Sequence, residues 1–62
     1  YIMNLEELLD EMQNEMHSAH EDLEKFSGGN KSAGTRVRKS MQLIKSMAQD
    51  VRVQVQEVKN SM

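Results

Sequence analysis

Two stretches of heptad-spaced apolar residues stand on either side of a four-residue break, Ser27-Gly28-Gly29-Asn30. Before the break, Leu5, Leu9, Met12, Met16, Ala19, Leu23 and Phe26 recur at alternating steps of four and three, and Ile2 extends the series backwards. After it, Val37, Met41, Ile44, Ala48, Val51, Val55, Val58 and Met62 do the same. That spacing keeps one apolar seam along an α-helix and is the mark of coiled-coil-like packing. Helices joined by so few residues fold back antiparallel. The sequence therefore predicts an all-α fold, an antiparallel two-helix hairpin in one domain. A helix is expected over 4–26, a turn over 27–31 and a helix over 32–61. With the turn centred near Gly29, residues facing each other should have numbers summing to about sixty. Leu23 then faces Val37, Ala19 faces Met41, Met16 faces Ile44 and Met12 faces Ala48. Phe26 faces Gly34, whose missing side chain leaves room for a ring. Large against small is what a packed interface needs.

The helix ends carry suitable residues. Asn4 is placed to cap the first helix, and Glu6 and Glu7 suit the positive end of its dipole. The paired glycines fit a left-handed C-cap. Asn30 or Ser32 is expected to cap the second helix. Gly34 and Thr35 weaken its first turns by propensity, so those turns lean on packing. Tyr1 and Ile2 precede Met3, which makes Met3 one candidate start beside Tyr1.

A chain of 62 residues rarely buries enough apolar surface to be stable alone, so self-association is expected. Leu8, Leu43, Met47 and Val53 lie off the seam, and a second apolar flank on a hairpin marks an oligomer interface. These four are the candidate interface of a homodimer completing a four-helix bundle. The chain has no Cys, which excludes disulfides and thiolate metal sites. No apolar run approaches the ~20 residues needed to cross a bilayer, and no signal-peptide pattern is present. A membrane partner is not expected, and the expected setting is cytoplasmic.

The net charge of −2 conceals a split. Residues 1–26 hold eight acids against Lys25, a net of −7, while residues 27–62 hold seven bases against Asp50 and Glu57, a net of +5. No acid occurs from Ser27 to Gln49. Within the basic half, Lys31, Arg38, Lys45, Arg52 and Lys59 recur every seven residues. They project from one helix flank at intervals of ~10.5 Å. Charges flanking a coiled-coil seam usually set pairing and orientation. In the expected register Glu6 lies near Arg52, but Lys45 meets Gln13 and Arg38 meets His20. Several cations are thus left for a partner subunit or for phosphate.

Other chemistry finds little support. His17 and His20 stand three apart, with Glu21 and Glu24 each four further on, a spacing that can hold a metal. No third His and no Cys completes a ligand set, so no metal and no cofactor is expected. Gly28-Gly29-Asn30-Lys31-Ser32 lacks the Gly-Lys and the upstream Gly of a phosphate loop. The start of the second helix still offers free N–H groups to an anion, and Lys31, Ser32, Thr35, Arg36, Arg38 and Lys39 crowd around it. No nucleophile–base pair and no paired carboxylates can be placed in a pocket of so thin a bundle. Neither an enzyme nor a small-molecule substrate is expected.

The segment Gly29-Asn30-Lys31-Ser32-Ala33-Gly34-Thr35-Arg36-Val37-Arg38-Lys39-Ser40 resembles the bacterial linker-histone-like family. That family includes the chlamydial histone-like proteins and shorter relatives in bacteria and phages. Its members share the acidic amphipathic first helix, the Gly-Asn-Lys turn and the Gly-Thr-Arg-x-Arg-Lys segment. The second helix is also similar, with a Lys and Arg ladder ending at Val55-Gln56-Glu57-Val58-Lys59-Asn60. The resemblance implies nucleic-acid association and chromosome compaction, with Lys31, Arg36, Arg38, Lys39 and Lys45 as phosphate contacts. The chlamydial members continue into a long basic tail that has no counterpart in these 62 residues.

Together with Arg52 from the heptad row, these residues are the candidate nucleic-acid contacts. The expected function is non-sequence-specific binding of DNA by a small oligomeric bundle, nucleoid-associated, because phosphate contacts position a protein without reading bases. The chain offers no aromatic platform for single-stranded bases. The competing expectation is an interaction module that binds no nucleic acid and works through Leu8, Leu43, Met47 and Val53.

Overall fold

Helix α1 runs over Leu5–Ser27 and helix α2 over Lys31–Ser61. The computed structural model describes residues 4–62. The expected extension of the apolar series to Ile2 and the candidate start at Met3 lie outside those residues. Asn4 caps α1, its Oδ1 accepting from the Glu7 N–H at 2.9 Å, and Glu6 and Glu7 occupy the first turn. The end of α1 is a Schellman motif. The Asn30 N–H donates to the Lys25 carbonyl at 3.1 Å, and the Gly29 N–H to the Phe26 carbonyl at 2.9 Å. The motif requires a left-handed residue, and Gly29 supplies it at φ +107°. Asn30 closes this motif and also caps α2, its Oδ1 accepting from the Ala33 N–H at 3.2 Å. One residue serves both helices, so the chain reverses at once and the helices lie antiparallel. They pack along their lengths into a rod of 50 × 18 × 15 Å.

The antiparallel all-α hairpin is as the heptads predict, but the helices are rotated within it. Leu5, Met12 and Ala19 face α2, and Val37, Ile44 and Val51 face α1, as expected. The other half of the expected seam turns outward: Leu9, Met16, Leu23, Met41 and Val55 are 41–50% exposed. Their places are taken by the residues immediately before them. These are Leu8, Glu15 and Asp22 on α1, and Ser40 and Gln54 on α2, while Ala33 is buried and Met47 half-buried beside half-buried Gly34 and Ala48. A shift of this kind turns each helix by about 50°.

Leu8 is only 6% exposed and Met47 is half-buried. The sequence placed both on an outward flank, and the structure spends both inside the hairpin; Leu43 and Val53 remain exposed. The cause is the width of the apolar stripe. Each helix carries apolar residues on more than one seam's worth of its circumference, and a single neighbour covers only part of it. The seam that closes contains small residues. Ala19, Ala33 and Ser40 are all buried there, and small side chains let two helix backbones approach.

Two contacts fix the register. A Cβ on Gly34 would lie 2.7 Å from two ring carbons of Phe26, so the ring occupies the space that glycine leaves. Arg36 Nε donates to Asp22 Oδ1 at 3.0 Å. The paired numbers sum to 60 and 58, close to the expected value.

The Phe26–Gly34 approach makes a sign-changing prediction. Alanine in a helix interior is favoured over glycine by about 1 kcal/mol, whereas forcing a Cβ into a filled space costs about 1–3 kcal/mol. Gly34→Ala should lower the stability of the native chain and raise that of the Phe26→Ala variant. Denaturant melts of the four chains measure it, and equal effects of Gly34→Ala in both backgrounds would show that the ring is not the obstacle.

Candidate nucleic-acid interface

The five heptad-spaced cations survive the rotation as a row, because all five turn together with α2. Lys31, Arg38, Lys45, Arg52 and Lys59 are exposed along one flank of that helix. Lys31 and Arg38 line an open hollow with Leu23, Phe26 and Gly34 at the turn end. Lys45 and Arg52 line a second hollow beside Ala48. The row therefore borders the outward apolar residues of α2. From Lys31 to Arg52 it spans ~32 Å, close to one turn of duplex DNA.

The remaining candidates sit elsewhere on the helix. Lys39 is exposed one residue past Arg38, about 100° further round. Arg36 is two residues before Arg38, on the far side of α2, and is held across the hairpin by Asp22. Its side chain is 47% exposed, while that of Asp22 is 16% exposed. Of the six expected contacts, four share one flank, Lys39 lies on the outward back, and Arg36 is engaged by a carboxylate. Asp22 is the partner that sequence reading missed. It stands at a position read as outward-facing, and nothing in the heptad frame distinguishes it from the other acids of α1.

The rotation also separates the charge rows. Glu6, Gln13 and His20 now occupy the outer edge of α1, and the cation row occupies the outer edge of α2. The expected approach of Glu6 to Arg52 within one chain is lost. At the start of α2 the first turn holds no acid, but the Asn30 side chain already takes the Ala33 N–H. His17 Nε2 and Glu21 Oε1 pair at 3.2 Å on the exposed face of α1. No group of three or more His, Cys, Asp or Glu converges on a metal position among the described residues. No helix among them is long and apolar enough to cross a membrane.

Residues 6–61 match the model of a protein family described as histone H1-like protein Hc1. The chain belongs to the histone H1-like Hc1 family. The resemblance carried by the turn segment Gly29–Ser40 and by Val55–Asn60 is thereby confirmed, since both lie within the matched span. The Hc1 family packages DNA and is not a family of enzymes. No curated protein and no solved structure matches the chain. In this Hc1-family hairpin, the cation row is the largest grouping of the basic residues that the family resemblance singled out.

An exposed ion pair between flexible side chains contributes little, about 0.2–1 kcal/mol after screening by solvent and salt. Asp22→Asn and Arg36→Ala should each cost the hairpin less than about 1 kcal/mol. Thermal unfolding followed by circular dichroism reads this directly; a much larger loss would give the pair a structural role.

Proposed function

We propose that the chain is a histone-like, non-sequence-specific DNA-binding protein that acts as a small oligomer. Lys31, Arg38, Lys45 and Arg52 meet the phosphate backbone. The observation that carries this reading is the exposed row itself, one flank of α2 with no acid from Ser27 to Gln49. Lys and Arg at this spacing attract a polyanion through charge and carry no base-reading geometry. Lys39 extends the patch around the back of α2. Arg36 joins only where a phosphate displaces the Asp22 carboxylate. Nucleoid association follows from this reading together with family membership.

The exposed apolar row Leu9, Met16, Leu23, Met41 and Val55 favours a second reading, in which the hairpin serves only to bring protein chains together. The two readings differ in what salt does. Counterion release lowers log affinity linearly with log salt, by about 0.9 for each phosphate neutralised. Fluorescence anisotropy of labelled duplexes of unrelated sequence should give the same slope for each, about 3–4 if the four row cations all engage. Arg38→Ala with Lys45→Ala should reduce that slope by about 2, and Arg36→Ala should leave it nearly unchanged. Absence of binding at low salt would leave only the interaction-module reading.

A further inference from the structure

The hairpin has two broad faces, and their chemistry differs sharply. One carries Leu9, Met16 and Leu23 of α1 beside Gly34, Met41, Ala48 and Val55 of α2. In an antiparallel pair these two rows fall on the same side, and the hollow shared by Leu23, Phe26 and Gly34 shows them meeting at the turn end. The opposite face carries Glu11, Ser18 and Lys25 beside Arg36, Leu43, Asp50 and Glu57, with one apolar residue among them.

We infer that the apolar face is the self-association surface, that it is covered by a second copy of this chain, and that α1 of each copy lies against α2 of the other. This rests on the oligomeric part of the proposed function and not on DNA binding. Three observations select the occupant and its orientation. First, the monomer is short of core. Leu8, Ala19 and Ala33 are its buried apolar residues, and no large side chain is fully buried among the described residues. Small helical domains supply that shortfall by oligomerising.

Second, the face has the size of a real interface. It runs ~32 Å along α2 and is 18 Å wide at most, roughly 500 Å² per copy. Two copies would bury roughly 1,000 Å², the lower bound for a specific interface.

Third, charge chooses the symmetry. Two identical faces pressed together have their dyad in the interface plane, either along the helices or across them. A dyad across the helices stacks α1 on α1 and α2 on α2, like charge on like. A dyad along them sets each acidic α1, from the −7 half, against a basic α2, from the +5 half, with neighbours antiparallel as in an up-down four-helix bundle. In that arrangement the outer row of α1 crosses the rim of the partner's cation row in the hairpin's own register. Glu6 comes near Arg52 of the other copy, Gln13 near Lys45 and His20 near Arg38. The pairing that the rotation removed within one chain returns between two. Since Gln13 and His20 are not carboxylates, Lys45 and Arg38 keep their charge for other anions.

The test needs no DNA. Sedimentation of the chain should give a dimer, and Met16→Glu should weaken association at least tenfold, whereas Leu43→Glu on the other face should not. The chain lacks cysteine, so single Met16→Cys and Met41→Cys chains can be mixed and oxidised. The mixture should form a disulfide-linked heterodimer, and neither variant alone should link to itself, because like positions sit diagonally and out of disulfide reach. The cysteine pattern stands even if Met16→Glu also loses helicity. Self-linking of Met16→Cys would overturn the arrangement. A dimer sensitive only to Leu43→Glu would overturn the face. A monomer at every concentration would remove the oligomer altogether, while leaving the DNA reading untouched.

Discussion

A helix that carries apolar residues at two positions of each heptad is satisfied by one neighbour, and a helix that carries them at three is not. Both helices here are of the second kind. Leu5, Leu8, Leu9 and Met12 occupy successive positions of a stripe wider than one seam, and so do Val37, Met41, Ile44, Met47 and Ala48. Folding into a hairpin covers one edge of each stripe and exposes the other. The exposed Leu9, Met16 and Leu23, the thin core and the placement of the cation row beside apolar surface all follow from that excess.

The turn removes the freedom that would otherwise blur the register. Gly29 at positive φ permits the Schellman closure, and Asn30 passes directly from closing α1 to capping α2. With the entry to α2 set this tightly, Phe26 lands over Gly34 and Asp22 lands beside Arg36. These contacts lie close to the turn. Farther away, α2 extends past the start of α1, and Val58 is 48% exposed there.

Much of this was legible in the residues. The break at Ser27–Asn30, the antiparallel return, the Asn4 cap and the Phe26–Gly34 approach all come from local chemistry that tertiary packing does not revise. The phase of the helices was not legible, for a geometric reason. Steps of four and three describe Leu5-Leu9-Met12-Met16-Ala19 and, read in the opposite order, Leu5-Leu8-Met12-Glu15-Ala19. The first series is more apolar and is the natural choice for a seam. In the structure the second closes, with Ser40 and Ala33 buried where the helices meet and Asp22 paired with Arg36. Which series closes depends on how the two helices fit against each other, and no single-helix pattern contains that comparison. The cation row was legible throughout, since residues seven apart share a flank whatever the phase.

That same rotation places the charges where they can serve. Had the first series closed, the apolar surface beside the row would have been consumed within the hairpin, and the cations would have flanked that closed seam. With the second series closed, Lys31, Arg38, Lys45 and Arg52 rise from the border of an apolar face. Long aliphatic stems lie favourably along such a border while the charged ends stay in water. Acidic side chains have shorter stems and carry the wrong sign for phosphate, which gives a physical sense to the absence of acids from Ser27 to Gln49. The border position also lets one helix take part in two kinds of contact. On the proposed reading, its apolar row would pack sideways against protein and its cation row would point outward to a polyanion. Neither needs the other's side chains, so association and phosphate binding can coexist on α2, provided that whatever covers the apolar face brings few carboxylates to its rim.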